Sequence, residues 1–257
     1  MVNIIAIINQ KGGVGKTTTA VNLSACLANM GKSVLLIDLD PQSNATTNLL
    51  PDDIVMDFTI KDVFRAQGSV PLDMASVPSI VEKLDIVPSN LGFAAIESEL
   101  LTKIGRESRL KKAIRPQIKH MYDYIILDAP PSLGLISINA LTAADEILIP
   151  IHEFFALEGV EQLINVSKQI QEDLNPDLTI GAVLLTMYDP RTNLAKDVKQ
   201  RIIDKFGSLL LNTTIPRNIK LAEAPSYKES IFTYAPESSG AKAYKALTEE
   251  LLKRWEQ

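Results

Sequence analysis

Seven short apolar runs punctuate the chain: Asn3–Ile8 (NIIAII), Ser33–Asp38, Leu84–Pro88, Tyr122–Asp128, Glu146–Ile151, Leu178–Thr186 and Leu209–Ile215. They are nearly continuous rather than alternating, as in strands buried on both faces. Helical spacing separates most of them. Lys16–Met30 carries Ala20, Leu23, Leu27 and Met30 on one face, and Ala156–Leu174, Asn193–Phe206 and Gly240–Trp255 are also periodic. Strands alternating with helices predict an α/β fold, a mainly parallel sheet flanked by helices on both faces. No long linker or internal repeat interrupts the pattern, so residues 1–257 read as a single domain. The stretch Pro51–Val81 is irregular and offers one short helix, Ile60–Gln67.

Composition narrows this picture modestly. A 257-residue chain with 46% hydrophobic residues can bury one large core. Mean hydropathy of +0.09 is ordinary for a soluble protein, and no run approaches the ~20 apolar residues that cross a bilayer. The chain opens directly on a strand, so no secretory or transit peptide is expected. The single cysteine, Cys26, sits in the first helical pattern as a small core residue. One cysteine excludes an internal disulfide or a cysteine metal cluster and fits a cytoplasmic setting.

The net charge of −5 and pI of about 5.2 argue against a protein that coats nucleic acid. Charge is nonetheless local. Residues Lys103–Lys119 hold seven cations against Glu107, and Arg191–Lys228 hold eight against Asp197, Asp204 and Glu223. The commoner reading of such runs is a solvated helix face.

The candidate chemistry begins after the first strand, at Lys11-Gly12-Gly13-Val14-Gly15-Lys16-Thr17. Three glycines let backbone N–H groups turn toward a polyphosphate, and the following helix adds its positive end. Lys16 reaches the β- and γ-phosphates, and Thr17 places a hydroxyl for Mg²⁺. The standard pattern has glycine where this chain has Gln10, and Lys11 is a second lysine that a self-contained loop does not need. Three acids close apolar strands, where ligands bind in such sheets. Asp128, before Ala129-Pro130-Pro131, is read as linked to Mg²⁺. Asp40 can orient an attacking water and Asp38 can support the metal's water shell, but spacing alone does not divide those two roles.

The run KGGVGKTT (Lys11–Thr18) resembles the deviant Walker A motif of the ParA/MinD group of P-loop ATPases. LLIDLDPQSNAT (Leu35–Thr46), ILDAPPSLGLISINAL (Ile126–Leu141), LLTMYDPRTNL (Leu184–Leu194) and IPRNIKLAEAPS (Ile215–Ser226) narrow the resemblance to ParA/Soj partition ATPases. It implies a P-loop NTPase fold of the SIMIBI type, with ATP and Mg²⁺ as ligands. Gly12, Gly13, Val14, Gly15, Lys16, Thr17 and Thr18 then hold the nucleotide. Met187, Pro216 and Asn218 contact adenine, Thr17, Asp38 and Asp128 serve the metal, and Asp40 positions the hydrolytic water. Lys11 reaches into the partner's phosphates across a nucleotide sandwich homodimer, with Gly12 at the interface. Arg191, Arg217 and Lys220 contact non-specific double-stranded DNA.

The resemblance further implies a slow ATPase switch that segregates chromosomes or plasmids. A ParB-like partner stimulates hydrolysis, and the protein is cytoplasmic and nucleoid-associated when ATP-bound. The alternative is a MinD-like ATPase on a membrane surface. Its basic amphipathic C-terminal helix is poorly matched here, because Glu249, Glu250 and Glu256 offset Lys253 and Arg254. Leu247, Leu251 and Trp255 are expected to pack on the core. An electron-transferring relative resembling nitrogenase iron protein lacks its cysteines in this chain.

Overall fold

A computed structural model describes residues 2–51, 53–65, 70–114, 116–152 and 158–255. The apolar runs form an eight-stranded sheet from β1 (Asn3–Ile7), β2 (Val34–Asp38), β3 (Val77–Pro78), β4 (Leu84–Val87), β5 (Tyr124–Asp128), β6 (Glu146–His152), β7 (Thr179–Tyr188) and β8 (Leu210–Pro216). Their order is β3-β4-β2-β5-β1-β6-β7-β8. Every pairing is parallel except β3 with β4. Successive residues of each strand serve opposite faces. Ile4, Ala6, Leu35, Ile37, Ile125 and Leu127 enter one core, and Ile5, Ile7, Val34, Leu36, Tyr124 and Ile126 the other. Both faces are covered, which explains why the strands read as unbroken apolar runs.

The strand order reverses at β1, whose neighbours are β5 on one side and β6 on the other. Register brings Ile7 level with Asp128, and Asp128 level with Asp38. Two buried carboxylates therefore stand side by side where the glycine loop leaves β1.

The sequence reading needs several corrections. The irregular stretch contains the antiparallel edge strand β3, and short helices stand at Asn44–Leu49, Leu72–Ala75 and Leu135–Ala143. Helix Ile60–Arg65 forms, while Ala66 and Gln67 lie outside the described residues, as do Ala156 and Leu157 at the start of the helix that runs Glu158–Asp173. The basic run Lys103–Lys119 keeps Lys103, Lys111, Lys112 and Lys119 exposed but is not one helix. It breaks into a 3₁₀ turn and the two helices Arg109–Ala113 and Pro116–Met121, with Arg115 outside the described residues. Arg109 is buried with its guanidinium toward the Phe64 carbonyl, and Lys111 Nζ donates to Asn175 Oδ1 at 3.3 Å.

Helix Ser239–Trp255 lies along the second core. Leu247 and Leu251 are buried, and Trp255 packs on Tyr124 with ring centroids 5.0 Å apart. Cys26 is buried and free, as expected.

Candidate functional site

The loop after β1 is shaped by two left-handed glycines. Gly13 has φ +74° and Gly15, the N-cap of helix Lys16–Asn29, has φ +83°. Residues with a Cβ pay for that region, so glycine there fixes the turn that points N–H groups inward. Side chains from distant strands hold the loop. Asn9 Nδ2 donates to the Pro150 carbonyl at 2.8 Å, and Asn9 Oδ1 accepts from the Lys11 N–H at 3.0 Å. Thr186 Oγ1, at the end of β7, lies 2.8 Å from the Val14 carbonyl and 3.1 Å from that of Ile151, donating between them.

Lys16 is only 7% exposed. Its Nζ folds back over the loop and donates to the main-chain carbonyl of Lys11 at 2.9 Å. Burial lowers its pKa, while Asp128 and Asp40 oppose that shift. The ammonium thus closes a ring of inward-facing donors with carboxylates behind it, an arrangement suited to a polyphosphate.

Three aspartates stand beside this ring. Asp128 is fully buried, and neither carboxylate oxygen has a hydrogen-bond partner among the described residues. Burial first, and then the charge of Asp38, holds its pKa well above the carboxylate range; the Thr17 hydroxyl nearby pulls the other way. Asp38 is equally buried but satisfied. Its Oδ2 accepts from the Thr46 N–H and hydroxyl at 2.9 and 2.7 Å, and its Oδ1 accepts from the Asp40 N–H at 3.1 Å. Burial still pushes its pKa up to about 6. Asp40 points Oδ1 back to the Gln42 N–H at 2.9 Å. A buried carboxylate with two idle oxygens beside a threonine hydroxyl is a donor set for a hard divalent cation.

A cleft of about 450 Å³ adjoins the loop. Gly13, Gly15 and Thr18 form one wall, and Thr186 and Met187 another. Pro216, Arg217, Asn218, Ile219 and Leu221 lie across from them, with Tyr244 behind. It gathers Met187, Pro216 and Asn218, the three residues assigned to a base. Met187 adopts φ +51°, and the pairing of β7 with β8 slips between Leu185 and Tyr188. Tyr244 and Thr186 escaped the sequence reading. Both belong to apolar patterns whose contacts are set by partners more than 150 residues away.

The cations assigned to DNA lie beyond the same strand ends, since Tyr188 of β7 is level with Pro216 of β8. Each of two is engaged locally. Arg191 forks onto Asp189 with Nε–Oδ1 2.8 Å and Nη2–Oδ2 2.6 Å, holding the Asp189 carboxyl at a pKa of about 2. Lys220 pairs with Glu223 at 2.9 Å beneath the Tyr234 ring. Gly12 is exposed, and a Cβ there would meet nothing closer than Pro131 at 4.0 Å.

Comparison with known proteins agrees with this geometry. A family model described as an AAA domain matches residues 2–180. The sporulation initiation inhibitor protein Soj of Bacillus subtilis is 48% identical, covering 98% of each chain. The chromosome-partitioning ATPase Soj of Treponema pallidum is 41% identical over 97% of each. A crystal structure of cobyrinic acid a,c-diamide synthase from Mycobacterium smegmatis, with bound ATP analog and magnesium, superposes with a TM-score of 0.85. It is 34% identical, covering all of this chain and 97% of its own.

Proposed function

The chain belongs to the ParA/Soj family of P-loop ATPases, and from that premise we propose that it is an ATP-driven DNA-partition switch. The observation that carries the nucleotide assignment is the alignment of idle, buried Asp128 with the glycine loop and Lys16. In this reading Gly13–Thr18 cradle the phosphates, and adenine enters the cleft among Met187, Pro216 and Asn218. Thr17 and Asp128 hold Mg²⁺, with Asp38 anchoring its water shell; the ion supplies charge neutralisation to the β- and γ-phosphates.

Lys16 exchanges the Lys11 carbonyl for phosphate oxygens. That exchange keeps the ammonium hydrogen-bonded throughout, so little is lost in desolvating it. Asp40 orients the attacking water. Its Oδ1 accepts from the Gln42 N–H, which fixes the orientation of this nearly buried carboxylate.

Lys11 completes the site of a second copy, so ATP favours a two-fold dimer. Exposed Gly12, with space above it, suits that close approach. The dimer joins the Arg191, Arg217 and Lys220 surfaces of two chains. Non-specific DNA affinity falls with salt by about 0.9 log units per log unit for each phosphate neutralised, so doubling the cations turns weak binding into retention. Hydrolysis, stimulated by a ParB-like centromere-binding protein, removes the γ-phosphate and releases both contacts. Leu247 and Leu251 of helix Ser239–Trp255 are buried in the second core, which favours this reading over a membrane-surface ATPase.

The test is molecular mass and DNA retention with ATP against ADP. A dimer that holds DNA with ATP and is lost with ADP is expected. ATP-independent retention, or retention insensitive to salt, refutes the proposal.

A further inference from the structure

The short helix Ile219–Glu223 serves two surfaces at once. Arg217, Asn218, Ile219 and Leu221 line the base cleft, whereas the Lys220 side chain is exposed and pairs with Glu223. Five residues cannot form a stable helix alone. Beside the Tyr234 hydroxyl that donates to Glu223 at 2.9 Å, two contacts tie this segment to helix Ser239–Trp255. Asn218 caps the short helix by accepting from the Lys220 N–H at 2.7 Å, and its Nδ2 donates to Ser239 Oγ at 2.7 Å. Next to Ser239, Gly240 is buried against Leu221. A Cβ at Gly240 would lie 2.8 Å from Leu221 Cγ and 3.0 Å from Cδ1. Glycine inside a helix is unfavourable by about 1 kcal/mol relative to alanine, and here its missing Cβ is the seat of Leu221.

The other end of this arrangement reaches the phosphate loop's own helix. Tyr244, one turn beyond Gly240, shares a hydrogen bond of 3.2 Å with Thr19 and forms the back of the cleft. Facing the cleft, Ile219 is 74% exposed. A base stacked there would cover that apolar side chain and bear on Leu221, which sits against Gly240.

We infer that the Leu221–Gly240 seat and the Asn218–Ser239 bond form a latch through which an occupied base cleft orders the Arg217–Lys220 segment within a single protomer. This rests on the DNA assignment above and adds to it. The base sets the cations in place in each chain, and the γ-phosphate then joins two such chains. Ordering and pairing become separate requirements for DNA retention, and ADP satisfies only the first. Gly240 is a positioning residue here, since it touches neither nucleotide nor DNA.

The experiment is amide hydrogen exchange of residues 219–223 with and without saturating Mg·ADP, in wild type and Gly240→Ala, alongside DNA retention with ATP. In wild type ADP should slow exchange of these amides by about tenfold, the scale of a local opening made rarer by roughly 1.4 kcal/mol. Gly240→Ala should bind ADP and lose most of that protection, and its ATP-dependent retention on DNA should weaken by about tenfold, through misplaced phosphate contacts. Ser239→Ala, which adds no bulk, should shift both readouts in the same direction by less and serves if Gly240→Ala does not fold. Exchange unchanged by ADP in wild type, or full protection in both variants, overturns the latch. Normal ADP protection in a wild type that fails to hold DNA with ATP refutes the DNA assignment and leaves the latch standing.

Discussion

Asp128→Asn should make the nucleotide-free protein more stable while abolishing its use of Mg·ATP. Asp128 sits fully buried beside Asp38, and the Thr17 hydroxyl that favours its charged form can still donate to an amide oxygen of the same shape. The magnitude follows from its neighbour. Asp38, despite three N–H and O–H donors, is pushed up from 3.8 to about 6 by burial, with a smaller push from the Asp40 carboxylate. That gap corresponds to roughly 3 kcal/mol of unfavourable free energy once this one buried carboxyl is ionised, and it sets the scale for Asp128, which burial raises in the same way.

A carboxyl whose folded pKa is raised stabilises the fold fully only below its unfolded value of 3.8, and the contribution is lost as pH rises through about 6. The wild type should therefore lose stability from Asp38 between about pH 4 and pH 6, and from Asp128 as pH rises through its own raised pKa. Lys16, whose charge Asp128 supports, keeps its bond to the Lys11 carbonyl in the variant, so loss of that support does not reverse the sign. Urea unfolding in chelator should show Asp128→Asn more stable by about 1–3 kcal/mol at pH 7, with a flatter profile above about pH 4, because the Asp128 contribution is gone while that of Asp38 remains. A variant equally or less stable at pH 7 would refute the claim that this carboxylate is held against its own preference.

Other substitutions probe the remaining parts. Lys11→Ala should leave nucleotide affinity within a few-fold, because Lys16 bonds the main-chain carbonyl of residue 11, yet abolish the ATP dimer; light scattering beside a fluorescent-nucleotide titration checks this. Gly15→Ala places a Cβ at φ +83°, with Thr186 no closer than 3.7 Å, so strain rather than collision should cost about 1–2 kcal/mol and weaken nucleotide binding about tenfold. Thr186→Val strands the Val14 and Ile151 carbonyls and should lower stability by about 1–2 kcal/mol by thermal unfolding, with weaker ATP binding. Asp40→Ala should bind ATP and stay on DNA without phosphate release; normal turnover would remove Asp40 from its role.

The strands were legible because double-sided burial leaves a continuous apolar signature that needs no partner to be read. β3 was not, being two residues long and ending in Pro78 at a sheet edge. The short helices 44–49 and 219–223 hold too few turns for a period to emerge, and tertiary contacts supply their order. The glycine loop and the three aspartates declare themselves because their chemistry is local in sequence. Thr186, Tyr244 and Gly240 do not, since each acts on a partner brought near by folding alone. The Lys103–Lys119 run stayed undecided in the sequence because charge reports neither depth nor direction: Lys103, Lys111, Lys112 and Lys119 are exposed, while Arg109 is buried.

The ion pairs of Arg191 with Asp189 and Lys220 with Glu223 bear on how this surface reads salt. Under the proposed reading, engaging DNA trades a carboxylate for a phosphate at both positions. Added salt weakens the pair being surrendered as well as the one being gained, so the two responses partly cancel. Counting cations in the dimer will therefore overestimate the ionic-strength dependence of retention. The same exchange leaves the resting surface nearly neutral at these points, and stray polyanions meet little unclaimed charge until two chains present it together.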